Sequence, residues 1–336
     1  VMDFPPADPR EPGTLGELGE AAVLRRIFPR LPDAAAALVG PGDDAAVIAA
    51  PDGRFVVTTD TMVHGPDFRL AWSTPHDLGW KAAATNLADV AAMGARATAM
   101  VVAVAAPPDT PVTVLEGLAD GLRDACAELA PGCGVVGGDL GVSATLVIAV
   151  TAFGDLGGRD AVLRSGARPG DLVAVSGTLG LAAEGLALLF ERALDADGRP
   201  DAARAQALRA EFPEALAAQL TPRPPLADGI VAASAGATAM LDVSDGLAID
   251  ARRIADASGV SIDLDTAAIG SALALAGGED HALLATFPPG RPGDALPGGF
   301  RRIGIVGPGS GLTVDGRAYD ARGGWDPYDD WNGAAD

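Results

Sequence analysis

Short apolar runs that end in glycine and aspartate do most to limit how this chain can fold. Gly42-Asp43-Asp44-Ala45, Thr58-Thr59-Asp60-Thr61, Gly137-Gly138-Asp139 and Asp242-Val243-Ser244-Asp245-Gly246 recur along its 336 residues. Between them, strand-length and helix-length stretches alternate. Residues 55–61 read as a strand whose end carries Asp60, and Ser73-Thr74-Pro75 supplies a cap and a first-turn proline for a helix over 75–93, with Gly94 as its stop. A strand over 97–105 and a helix over 112–130 follow. Strands over 134–137 and 144–153 then flank a Gly-Gly-Asp turn at 137–139. The second half repeats the alternation, with strands over 172–176, 237–243, 261–265 and 281–287 and helices over 181–194 and 247–258. The polar run 195–201 reads as a connector and Gly277-Gly278-Glu279-Asp280 as a turn. This is the pattern of α/β or α+β domains, and the length is enough for two of them.

Composition narrows the partners. The longest apolar stretches are far shorter than a membrane span, and the acidic, proline-bearing first twelve residues do not read as a signal peptide. With 45 acidic against 24 basic residues, the formal charge of -21 repels nucleic acid and anionic membranes. Cys126 and Cys133 are the two cysteines in a chain too large to need a disulfide frame, so a reducing cytoplasm is expected.

The chemistry should reside in the aspartates. Hard carboxylate oxygens suit Mg²⁺, which takes one or two of them and completes its shell with water and substrate phosphate. Glycine beside a carboxylate lets a phosphate approach the backbone closely. Any one Asp-Gly pair is more often a plain turn; their number makes the metal reading the sharper one. On the helix over 75–93, Thr85, Asn86 and Asp89 share a face and interrupt an alanine-rich stripe. No P-loop pattern occurs, and neither H-R-D nor D-F-G. His64, His76 and His281 lack zinc spacing, and no G-x-S-x-G nucleophile elbow occurs.

Taken in order, these blocks resemble the thiamine-monophosphate kinases, whose fold is shared with aminoimidazole-ribotide synthetase and selenophosphate synthetase. The matching runs are the four above with Lys81, Asn86 and Asp89 to Gly94, Arg164 to Asp171, Gly277 to Asp280, and Gly324-Trp325-Asp326. The resemblance implies a two-domain α/β (α+β), PurM-like fold. A mixed N-terminal sheet with helices over 14–155 would bind ATP and Mg²⁺ and form a homodimer, and a C-terminal α/β domain would cover 156–330. It implies several Mg²⁺ ions held by Asp44, Thr58, Thr59, Asp60, Asp89, Asp139, Asp242 and Asp245. Gly138, Asp139, Arg164 and Ser244 would contact ATP as co-substrate, and Asp67, Glu279 and Trp325 the thiamine monophosphate. Asp67 stands where the family usually has His, and His281-Ala282 where it usually has Tyr-Glu.

The implied reaction needs no general base, because a phosphate monoester with a second pKa of about 6 is already largely dianionic at neutral pH. Two other readings stay open on the sequence: a ligase resembling aminoimidazole-ribotide synthetase, which would release free phosphate, and a non-catalytic sensor of ATP and Mg²⁺.

Overall fold

The computed structural model describes residues 13–40, 46–290 and 295–324. Its first half contains α1 (Leu15–Leu18), α2 (Glu20–Ile27), the antiparallel pair β1 (Ala37–Val39) and β2 (Val47–Ile48), then β3 (Val56–Val63), α3 (Pro75–Ala92), β4 (Arg96–Ala106), α4 (Val112–Leu129), β5 (Gly134–Val142) and β6 (Val147–Asp155). The second half opens with β7 (Leu172–Ser176), α5 (Leu181–Arg192), α6 (Ala202–Glu211), α7 (Pro213–Leu220), α8 (Leu226–Ser234), β8 (Ala239–Val243) and α9 (Leu247–Ser258). It closes with β9 (Ser261–Leu264), α10 (Thr266–Ile269), α11 (Ala272–Ala276), β10 (Ala282–Phe287), β11 (Arg301–Gly307), β12 (Gly311–Val314) and β13 (Arg317–Ala318).

Two mixed sheets result. The first runs β3-β6-β4-β5, with only β4 and β5 parallel. The second runs β13-β12-β9-β11-β7-β10-β8, with only β12 and β9 parallel. Side chains alternate across a strand, so one face of the first sheet (Met100, Val102, Val104, Ile148, Val150 and Ala152) is buried under α3 and α4. The other face carries Val57, Val101, Ala103, Ala149 and Phe153, which are only partly covered.

Helix α3 holds the two halves together. Thr74 caps it through a reciprocal box, accepting from the Asp77 amide at 3.1 Å while the Asp77 carboxylate accepts from the Thr74 amide at 2.8 Å. Ala83, Ala84, Leu87, Ala88 and Val90 are fully buried, as expected of a helix enclosed on all sides. Glycines permit that enclosure. A Cβ on Gly79 would lie 2.0 Å from the Leu118 carbonyl oxygen, and one on Gly121 2.0 Å from that of His76. Its C-terminal end enters the second half, where Ala92 shares a core with Ala174, Met240, Leu283 and Phe287.

Two local expectations need correction. Gly137-Gly138-Asp139 is not a turn: β5 runs straight through it, paired with β4 as Val101↔Gly137, Val102↔Gly138 and Ala103↔Asp139. The reason for glycine is steric, since a Cβ on Gly138 would sit 2.0 Å from the Val102 carbonyl oxygen. Asp60 is not at a strand end either; it lies within β3, at an edge of the sheet.

Candidate active site

β3, α3 and β8 bring acidic side chains to one place. Thr58 and Asp60 pair with Ala152 and Val150, whose side chains lie under α3, so both project to the helix side of the sheet. The Thr58 hydroxyl donates to Asp89 Oδ2 at 2.7 Å. Asp242, 5 % exposed, sits on β8, the edge strand of the second sheet. Burial, then the charges of Asp242 and Asp60, pushes the Asp89 carboxyl up to about 7. Asp60 is likewise held above the ordinary carboxylate range, by withdrawal from water first and by Asp242, Glu279 and Asp245 after it. These are carboxylates gathered without enough positive charge to match them.

Two cavities lie near these carboxylates, one lined by Asp89 and Asp242 and the other by Glu279, whose charge bears on Asp60. The first, about 670 Å³, is lined by Val57 and Thr58 of β3, Asp89 and Ala92 of α3, Leu241 and Asp242 of β8, and Arg164, with Phe55, Met93 and Leu156 as an apolar wall. It lies between the two halves rather than within the first. The second, about 460 Å³, is lined by Asp67, Phe68, Trp72, Lys81, Phe190 and Glu279 among others. One element serves both cavities: α3 lends Asp89 to one and Lys81 to the other, eight residues or about 12 Å away along the helix axis.

In the second cavity Lys81 forms an ion pair with Glu279. Burial works against the Glu279 charge, but Lys81 and His281 together outweigh it and hold the carboxyl below its ordinary range. Asp67 is raised, by burial first, although its carboxylate accepts from the Val63 amide at 2.6 Å. Trp72 and Phe190 meet edge to face with centroids 4.9 Å apart, and the Trp72 indole N–H donates to the Ala193 carbonyl at 3.0 Å.

The expected ligands divide. Thr58, Asp60, Asp89 and Asp242 come together. Thr59 does not join them: it faces the other side of the sheet, where its hydroxyl donates to the Val150 carbonyl at 3.0 Å and accepts from Thr151 at 3.1 Å. Asp139 is remote within one chain, because β5 is the edge strand opposite β3 and Asp139 shares a face with Ala103 and Ala149 rather than with Asp60; Gly138 goes with it. Asp245 turns to Arg253 at 2.6 Å, and Arg253 also holds Asp250 at 2.6 Å. Arg164 lines the first cavity, Asp67 and Glu279 line the second, and Ser244 follows Asp242, its carbonyl accepting from the Glu279 amide at 2.7 Å. Asp44 and Trp325 lie outside the described residues.

The residues present fit a divalent cation. Among the described residues no three His, Cys, Asp or Glu side chains are drawn in closely enough to hold an ion as they stand, but Mg²⁺ needs only one or two carboxylates besides water and phosphate. The raised Asp60 and Asp89 carboxyls call for positive charge. Asn86, one turn before Asp89, keeps a buried Oδ1 for which the described residues supply no donor.

Sequence reasoning gave no role to the Lys81 pairing, although Lys81 is the only lysine in the chain. It missed Trp72, Phe190 and the contact of His281 with Asp242 altogether.

Comparison with known proteins agrees with this architecture. Residues 42–156 match the AIR synthase related protein N-terminal domain and residues 168–291 its C-terminal domain. The thiamine-monophosphate kinase of Mycobacterium tuberculosis is 44% identical over 95% of this chain and 94% of its own length. That of Corynebacterium glutamicum is 43% identical over 88% of each. Among solved structures, thiamine monophosphate kinase from Aquifex aeolicus superposes with a TM-score of 0.68 at 31% identity, covering 81% of this chain and 91% of that one. AaThiL complexed with AMPPCP and TMP gives 0.69 at 30% identity, over 84% and 90%. The hydrogenase maturation protein HypE, 21% identical with a TM-score of 0.59 over 86% of this chain and 89% of that one, shares the fold.

Proposed function

This chain belongs to the thiamine-monophosphate kinase family of AIR synthase related proteins, and we infer that it transfers the γ-phosphoryl group of ATP to thiamine monophosphate, giving thiamine diphosphate. One observation supports the reading: of two cavities of different character that share α3, one is lined by Asp89 and Asp242 and the other by Glu279, and Asp60 feels the charges of both Asp242 and Glu279. Phe55, Met93 and Leu156 of the first offer an apolar seat for a base, and Arg164 a planar fork for phosphate oxygens. Phe68, Trp72 and Phe190 of the second offer ring faces and edges, with Asp67 and Glu279 supplying negative charge for a cationic thiazolium. Trp325 belongs to the same proposal.

Asp60, Asp89 and Asp242 would hold Mg²⁺, with Thr58 fixing the Asp89 carboxylate; Asp44, Thr59 and Asp245 are the remaining candidates, Asp245 only on release from Arg253. Bound there, Mg²⁺ supplies charge neutralisation: two unit charges about 4 Å apart repel by roughly 4 kcal/mol at an effective dielectric of 20. This chain's own residues would orient the two phosphates for in-line attack. The acceptor phosphate is its own nucleophile, so no side chain needs to take a proton and no phosphoenzyme forms.

A homodimer completes the proposal. The partly covered face of the first sheet offers an apolar strip of Val57, Val101, Ala103 and Phe153, and Asp139 stands on that face. A second copy packed there would put Asp139 and Gly138 at a subunit boundary, the placement their proposed ATP contacts require. Residues 14–155 would then be the dimerising domain and 156–330 its companion, in a cytoplasm supplying ATP and Mg²⁺.

The direct test is incubation with ATP, Mg²⁺ and thiamine monophosphate, followed by chromatography. Thiamine diphosphate with ADP is expected; ADP with free phosphate would favour the ligase reading, and no turnover the sensor. A narrower prediction concerns Asp67. Because it lines only the acceptor cavity, Asp67→His should retain turnover and shift KM for thiamine monophosphate while leaving KM for ATP unmoved. Complete loss in a folded variant would show that the aspartate has a role of its own.

A further inference from the structure

We propose that His281 is a positioning residue for Asp242, presenting that carboxylate to the cation; the inference rests on the phosphoryl-transfer reading above. The imidazole Nδ1–H donates to Asp242 Oδ2 at 3.2 Å, and both side chains are buried, at 4 % and 5 % exposure. Asp242 in turn bears on both Asp60 and Asp89, so its orientation shapes the whole cluster.

The backbone is bent to make this contact. Glu279 and His281 adopt φ of 71° and 49°, in the left-handed region that side-chain-bearing residues seldom enter and that His tolerates better than most. The segment is fastened on several sides. The Glu279 amide donates to Ser244 and the His281 amide to Val243, at 2.7 and 2.9 Å. The Asp280 carboxylate accepts from the Gly180 and Ala182 amides at 2.5 and 3.0 Å. With the main chain so held, Glu279 reaches Lys81 and His281 reaches Asp242.

Nothing else polar among the described residues restrains the ring, since its Nε2 is buried without a hydrogen-bond partner. A side chain there only to fill the core would not need an imidazole. The terminal torsion of a carboxylate is broad. A fixed N–H on Oδ2 removes that freedom and leaves Oδ1 for a cation, as partners behind metal ligands commonly do.

The test compares His281→Phe, which keeps a ring and loses the donor, with His281→Asn, which loses volume and keeps an N–H near the Nδ1 position. Mn²⁺ affinity in the presence of AMPPCP is read by electron paramagnetic resonance, beside melting temperatures. Positioning predicts Mn²⁺ binding weakened about 10- to 100-fold in the Phe variant and within about threefold of wild type in the Asn variant. A packing role predicts the reverse order, with Asn the more damaged. Should the Phe variant not fold, His281→Leu takes its place with the same two outcomes. Wild-type affinity in the Phe or Leu variant, or an Asn variant no better than it, overturns the inference and leaves the kinase reading intact. A wild-type protein that binds no Mn²⁺ overturns both.

Discussion

Asp60→Asn is expected to lower kcat by about 10²- to 10³-fold, the scale of losing one preorganised electrostatic partner at a transferring group. The substitution keeps the shape of the side chain and removes its charge. Asp60 lies on the helix side of β3, where withdrawal from water first and then the charges of Asp242, Glu279 and Asp245 raise its proton affinity. A neutral amide relieves that repulsion, so the variant should melt no lower than the parent. Loss of turnover with an unchanged or raised melting temperature separates a missing charge from a damaged fold. Rates close to the parent's would remove Asp60 from the site.

In EDTA the protein should lose stability as the pH rises from about 4 to 7, and Mg²⁺ should cancel much of that loss. Asp89 and Asp250 are both pushed up to about 7 from an ordinary value of 3.8, in each case by burial first. An acid whose folded pKa is raised binds its proton more tightly in the native state. Its stabilising contribution is therefore complete below the unfolded pKa and disappears as the pH passes through the folded one. For Asp89 the span corresponds to at most about 4 kcal/mol; partial exposure and shared charge reduce the effect to roughly 5 °C in melting temperature. Mg²⁺ binds the ionised site, so its stabilisation grows over the same interval. Asp89→Asn should flatten both the pH slope and the Mg²⁺ response, whereas the Asp250 share should persist. Turnover should stop in EDTA and return with Mg²⁺. A pH-independent melting temperature in EDTA, or full turnover there, would contradict the cation argument.

Much of the scaffold was legible because its signals are local. Thr74, Pro75 and Gly94 mark the ends of α3 within a few residues, and Asp89 stands out as a charge in an alanine-rich stripe. What escaped depends on pairings between distant segments. Gly137-Gly138-Asp139 has the composition of a turn, and only the approach of the Val102 carbonyl makes it a strand. The side of the sheet on which Asp139 falls is set by its register with β4, which no local pattern encodes. The helices α6 and α7 went unread because their apolar residues are mostly alanines; they gain burial by closing around Trp72, Leu189 and Leu216. Trp72 and Phe190 are 118 positions apart in sequence and meet only through that closure.

The enclosure of α3 fixes the gauge of the reaction. A helix locked to α4 by glycine contacts and to the second sheet by a common core cannot slide without tearing interior packing on both sides. On the proposed reading, donor and acceptor phosphates would be brought to a preset separation, and a substrate of different length could not be met by the halves drawing apart. New acceptors would have to be accommodated at the far wall of the second cavity, around Phe190 and the turn after it, where a change of side chain alters the depth of the seat but not the distance across which the phosphoryl group passes.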